Sequence, residues 1–210
     1  ALFEEASEIY GRKISMFPYQ WRNYYRRGSC FAEMYKLEDA RKDLIEALEL
    51  RGEFSVNVAE KLSDILYKLH YYEDARLLLE ALILSNPQDY EYYGKMGMCF
   101  IAAQDFEKAF EAFNRSLGLN PYEPEYLYGA GVSAAHLNFT DDALDLIRDL
   151  LEFDDGFVEI VEKEPAFSDM ENNDDFFALI SEVKARRNNK ISGENTGRET
   201  DEDSETEPGE

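Results

Sequence analysis

The sequence predicts an all-α fold, a solenoid of antiparallel helix pairs, and three observations predict it. Alanines recur at Ala6, Ala40, Ala75, Ala109 and Ala143, at spacings of 34, 35, 34 and 34 residues. A repeat of that length marks a supersecondary unit that buries its apolar face by stacking on its neighbours. Twelve residues before the last four alanines stand Gly28, Ser63, Gly97 and Gly131, all small. Four residues after the five alanines stand Tyr10, Leu44, Leu79, Phe113 and Ile147, all large and apolar. Twelve residues after them come Pro18, Gly52, Pro87, Pro121 and Asp155, helix stops in four cases. Each unit therefore reads as two helices, the first carrying a small residue where the second crosses it closely. Gly97, inside the apolar run "MGMCFIAA", costs roughly 1 kcal/mol of helix propensity, which close packing of its larger neighbours offsets.

Taken in order, residues 1–17 fit only a second helix, with Ala6 and Tyr10 in register and Pro18 as the stop. Leu2, Phe3, Ile9 and Ile14 of this unpaired helix then lack a partner on one side. Residues 18–155 hold four helix pairs, beginning at Trp21, Val56, Tyr90 and Pro124. Beyond Phe153 the register decays. Residues 156–187 break at Pro165 and make a capping helix, in which Phe176, Leu179, Ile180 and Val183 follow i, i+3, i+4, i+7 spacing. Residues 188–210 contain eight acidic and two basic residues. With so little apolar surface to offset ordering entropy, they form a disordered acidic tail.

The repeat pattern resembles the tetratricopeptide repeat (TPR) family: an aromatic, Leu-Gly, an aromatic, then Ala, an aromatic, Ala and Pro. The unit from Tyr90 matches best, with Tyr93, Met96-Gly97, Phe100, Ala109, Phe113 and Pro121. The unit from Trp21 carries Tyr24, Gly28, Phe31, Ala40, Leu44 and Ala47, but has Arg27 where the family prefers leucine and Gly52 in place of proline. The unit from Val56 has Leu62-Ser63, Leu66, Ala75, Leu79 and Pro87, and the one from Pro124 has Leu127, Ala130-Gly131, Ala134, Ala143 and Ile147. The resemblance implies a right-handed superhelical solenoid closed by a polar-backed C-terminal helix.

Composition bounds the function. There are 22 Lys and Arg against 45 Asp and Glu, a net charge of −23. So acidic a chain repels phosphate backbones and anionic lipid, which argues against nucleic-acid partners and membrane-surface binding. No apolar run approaches the ~18 residues that span a bilayer. The two cysteines, Cys30 and Cys99, make no disulfide framework and point to a reducing, cytoplasmic setting. The chain starts at Ala1 without a methionine, which leaves room for an upstream leader or anchor.

Nothing in the sequence reads as catalytic machinery. His70 falls in an inter-helix turn and His136 late in a first helix, neither with a metal-ligand neighbour at spacing. Cys30 and Cys99 share one register position in two repeats and read as small core residues. The acidic pairs and the "DEDSE" run lack the order of a calcium loop, and the glycines sit inside helices rather than in a phosphate loop. No enzyme activity, cofactor or metal is expected.

The resemblance implies a groove lined by the first helices. Register places Arg22, Tyr25, Arg26 and Ser29 on it at one end, then Lys61, Asp64, Tyr67 and Lys68. Lys95, Met98 and Ile101 follow, and Tyr128, Val132 and His136 complete it. Some family members clamp a peptide's terminal carboxylate with Lys and Asn; the equivalent positions hold Tyr25, Ser29, Lys61, Glu91 and Lys95, so most of that clamp is absent. The expected function is a non-enzymatic adaptor or scaffold holding a protein or peptide segment, with an acidic group at Arg22 and Arg26 and an apolar stretch along Met98, Ile101 and Val132. Two alternatives stay open. Residues 89–153 loosely resemble the TPR chaperones of type III secretion translocators, in which an unpaired N-terminal helix can form a homodimer. The chain also fits the regulatory arm of a larger enzyme or membrane-anchored protein.

Overall fold

The computed structural model describes residues 2–170 and 173–198. Two compact units divide the chain, residues 1–121 and 122–210, and the described regular structure in both is helical. The first unit contains α1 (Leu2–Met16), α2 (Trp21–Glu33), α3 (Leu37–Arg51), α4 (Val56–Lys68), α5 (Tyr72–Ser85), α6 (Tyr90–Ala102) and α7 (Phe106–Leu119). Helix α2 packs on α3, α4 on α5 and α6 on α7, and α3 meets α4 as α5 meets α6. The second unit pairs α8 (Pro124–His136) with α9 (Thr140–Phe153) and continues through α10 (Val158–Lys163) to α11 (Asp174–Arg198).

The register alanines mark the tightest points: Ala40, Ala75, Ala109 and Ala143 are all 0% exposed. Leu44, Leu79, Phe113 and Ile147 lie buried one helical turn on. At Gly97 a Cβ would stand 2.8 Å from the Phe113 ring, closer than two carbons can approach. At Gly28 it would meet Asp43 Cβ at 3.1 Å and the Ala40 carbonyl at 3.2 Å. Gly131 differs, since its nearest neighbour there is Ile147 at 3.6 Å, an ordinary contact. A Cβ would thus clash at the third crossing, fit tightly at the first and fit in ordinary contact at the fourth.

The turn inside each pair has one recurrent geometry. Tyr35, His70, Gln104 and Asn138 all adopt left-handed backbone, with φ of 56°, 65°, 59° and 60°. The next N–H in each turn reaches back to the carbonyl of the residue five before it, as Lys36 to Phe31 (2.9 Å) and Asp105 to Phe100 (3.0 Å). A further N–H, as Gln104 to Ile101 (2.9 Å), completes the Schellman arrangement that satisfies the last helix carbonyls. Asn138 and His70 are of residue types enriched in this backbone, and Tyr35 and Gln104 adopt it at the same point of the turn. Second helices end differently. Gly52 closes α3 at φ 70°. Asn86 and Asn120, each before proline, are pushed into extended backbone at φ −143° and −139°.

Arg27 occupies the place where the repeat pattern wants leucine, and the structure supplies its reason. Its guanidinium holds Asp43 of α3 with two 2.7 Å hydrogen bonds, Nε to Oδ2 and Nη2 to Oδ1. Asp43 is buried and Arg27 half-buried, and the hydrogen bond to Asp43 raises the Arg27 pKa further despite burial. A charged pair replaces an apolar contact at this helix crossing.

The termini follow the sequence reading in part. Helix α1 packs on α2 and contains no buried residue; Leu2, Phe3 and Ile9 are exposed and Ile14 half-buried. In the cap, Phe176, Ile180 and Val183 are buried and Leu179 is half-buried, the expected face. Arg186 donates to the Leu151 carbonyl at 3.0 Å, and Arg187 pairs with Glu159 at 2.6 Å. Helix α11 is described as far as Arg198, within the segment expected as an acidic tail from residue 188. Residues 199–210 lie outside the described residues.

Candidate functional site

The first-helix face of the first unit brings together most of the side chains that register assigned to it. At its N-terminal end Arg22 lies over the Trp21 ring, 4.8 Å from the centroid. Arg26 reaches the Tyr10 hydroxyl of α1 at 3.5 Å. Both are exposed, and neither forms an ion pair among the described residues. Ser29 is half-buried and donates to the Tyr25 carbonyl at 2.8 Å, so its hydroxyl serves the helix rather than the surface.

Between α4 and α6 two adjoining pockets open. The first, of about 370 Å³, lies toward the N-terminal ends of the helices and is lined by Tyr25, Asn57, Glu60, Lys61, Asp64, Asp89, Glu91, Tyr92 and Lys95. The second, of about 250 Å³, lies toward the C-terminal ends, with Ser63, Tyr67, Lys68, Leu79, Met98 and Cys99 beside the same Asp64 and Lys95. Asp64 and Lys95 form the ridge between them. The Lys95 ammonium stands 2.9 Å from Asp64 and 3.7 Å from Glu91. Burial alone would lower its pKa, but the hydrogen bond and attraction of Asp64, with Glu91 and Glu60, raise it above the ordinary lysine value. Tyr92 is buried and donates its hydroxyl to Glu60; burial first, and then that carboxylate, hold the phenol protonated.

The two pockets differ in chemistry. The N-terminal one sets four carboxylates against two ammonium groups, Lys61 and Lys95. The C-terminal one presents Tyr67, Leu79, Met98 and Cys99. Cys99 is 3% exposed, and burial pushes its thiol from 9.0 up to about 11, so it stays neutral and behaves as core. Of the residues that register assigns to this face, Tyr25, Lys61, Asp64, Tyr67, Lys68, Lys95 and Met98 line the two pockets. Asn57, Glu60, Ser63, Asp89, Glu91, Tyr92 and Cys99 line them as well, with Leu79 of a second helix, and register does not point to these as groove residues. Ile101 is half-buried on α6 and lines neither pocket.

In the second unit the expectation of an open wall needs correction. Val132 is buried, at 7% exposure, and so exposes no apolar area for a ligand. The segment after α9 folds back onto α8. Tyr128 donates its hydroxyl to Glu164 and sets its ring near Phe157 (6.3 Å) and edge-on to Phe167 (6.5 Å). It is a packing residue of the cap. His136 is exposed at the end of α8. Among the described residues no group of three or more His, Cys, Asp or Glu is placed to hold a metal ion. None of the described helices is long and apolar enough to cross a membrane.

Comparison with known proteins agrees with the geometry. A family model of the tetratricopeptide repeat matches residues 60–124. No curated protein matches the chain in sequence. Among solved structures, MamA residues 41–end from Desulfovibrio magneticus RS-1 superposes with a TM-score of 0.68 at 21% identity, over 73% of this chain and 86% of that one. YrrB, a TPR protein with an unusual peptide-binding site, superposes with a TM-score of 0.67 at 21% identity, over 73% of this chain and 78% of that one. At such identity the likeness concerns the fold. Residues 60–124 match the tetratricopeptide repeat, and the helix pairs of this chain share the fold of YrrB, a TPR protein.

Proposed function

We propose that the chain is a non-enzymatic adaptor that holds a segment of a partner protein along the first-helix face of α2, α4 and α6. The observation that carries this reading is the pair of contiguous pockets between α4 and α6, joined at Asp64 and Lys95. An apolar pocket with a polar rim suits a side chain of a bound segment, and Met98 on its wall adapts to more than one shape. YrrB, similar in fold, is described by its peptide-binding site, which supports the same use here. Arg22 and Arg26, exposed and without carboxylate partners among the described residues, are available to an acidic group of the partner.

The experiment is site-specific photo-crosslinking in cell extract, with a photoreactive residue in place of Tyr67 or of the exposed Leu84 on α5. The expected outcome is one partner band from position 67 and none from position 84. Labelling only from position 84 would move the site to the second-helix face and end this reading.

A second reading is favoured by α1, whose Leu2 and Ile9 stay 75% and 46% exposed. Such a face suits self-association, as in the translocator chaperones. Light scattering of the chain and of Ile9→Glu tests it: a dimer that the substitution converts to monomer supports it, and a monomer throughout rejects it.

A further inference from the structure

The groove between α4 and α6 carries more information than that it holds a peptide. Its apolar end is a walled pocket, and at its other end the four carboxylates of Glu60, Asp64, Asp89 and Glu91 outnumber the two ammonium groups of Lys61 and Lys95. Several of these carboxylates are held in place: Glu60 by the Tyr92 hydroxyl, Asp89 by the Glu91 N–H at 3.2 Å, and Asp64 by Lys95. Lys95 is shared between two of them. A ligand carboxylate entering here would face this rim, while a ligand cation would relieve it.

The spacing of the two ends adds a second constraint. The lining of the pockets shifts by about five residues along both α4 and α6, roughly 7 Å of helix at about 1.5 Å per residue. Side chains i and i+2 of an extended peptide stand about 6.6 Å apart on one face.

Resting on the adaptor reading above, we propose that this groove selects an extended segment of a partner protein carrying a lysine or arginine and, two residues away, an aliphatic side chain. The cation enters the carboxylate-rimmed end, and the aliphatic group enters the pocket beside Tyr67, Leu79 and Met98. The ridge of Asp64 and Lys95 sits beneath the residue between them and separates the two preferences.

The test is selection of short random peptides displayed on phage against the full chain at about 0.15 M salt, followed by fluorescence anisotropy of the best peptide. Peptides with a basic and an aliphatic residue two apart are expected. Glu60→Gln with Glu91→Gln, which keeps shape and removes charge, is expected to weaken binding roughly tenfold, as is Met98→Ala. A peptide of identical composition with the basic and aliphatic residues made adjacent, and so on opposite faces of the extended chain, is expected to bind several-fold more weakly. Equal binding of the respaced peptide would mean that the overall negative charge of the chain acts alone, and overturns the inference. Selected peptides that lack a basic residue yet depend on Met98 also overturn it, and leave the groove reading intact. No enrichment, or enrichment indifferent to both sets of variants, overturns the inference and the groove reading together.

Discussion

At residue 27 the chain departs from its own repeat pattern, and the departure is compensated at residue 43. The two side chains of α2 and α3 meet through a bidentate ion pair at 2.7 Å, with Asp43 only 6% exposed. Removing one partner of a buried pair leaves an uncompensated charge, whereas removing both leaves none. Arg27→Leu, which restores the residue the repeat favours, is therefore expected to destabilise the chain by about 3 kcal/mol. Arg27→Leu with Asp43→Ala is expected to recover most of that loss. Urea unfolding followed by circular dichroism measures both; a single variant as stable as the parent would show that the pair contributes nothing. Arginine at this position was legible in the sequence only as an irregularity. Its partner was not, because Asp43 lies 16 residues away on the next helix and nothing local marks it as buried.

At the scale of the helix, glycine in the first helix means different things in different repeats. Gly97 has the Phe113 ring against it at 2.8 Å, and Gly131 has room for a methyl group at 3.6 Å. Gly97→Ala is expected to lower the melting temperature, since overpacking of about 1–3 kcal/mol outweighs the gain in propensity. Gly131→Ala is expected to raise stability by up to about 1 kcal/mol. Phe113→Leu, combined with Gly97→Ala, is expected to restore part of the loss. Thermal melts of the variants check the set, and a Gly97→Ala melt at or above the parent's would contradict the close crossing. The period located every one of these positions. How tightly each is filled depends on the ring or branched chain that the second helix happens to bring, which the period does not contain.

At the scale of the whole molecule, the second unit is shaped by its cap. Phe167 is 1% exposed, edge-on to Tyr128 at 6.5 Å and tilted against Phe176 at 6.2 Å. It joins α8 to the elements that follow α9. Phe167→Ala is expected to cost about 3–5 kcal/mol, read as lost amide protection in α8, α9 and α11 by hydrogen exchange. Unchanged protection there would mean that the cap rests loosely on the repeat. The same packing engages Tyr128, whose hydroxyl is bonded to Glu164 and whose ring lies edge-on to Phe167.

The sequence by itself determined the helix pairs and the buried alanines, because a repeat of constant length carries each side chain to the same place in every copy. Ala40, Ala75, Ala109 and Ala143 are buried alike for that reason. Only the tertiary structure decided which groove positions stay open, where the Arg27 charge goes, and which carboxylates gather around Lys95. Those outcomes depend on contacts between residues of different helices. Glu60 and Tyr92 meet across 32 residues of chain, and Tyr128 and Glu164 across 36. Periodicity records what each helix repeats; it does not record what folds back against it.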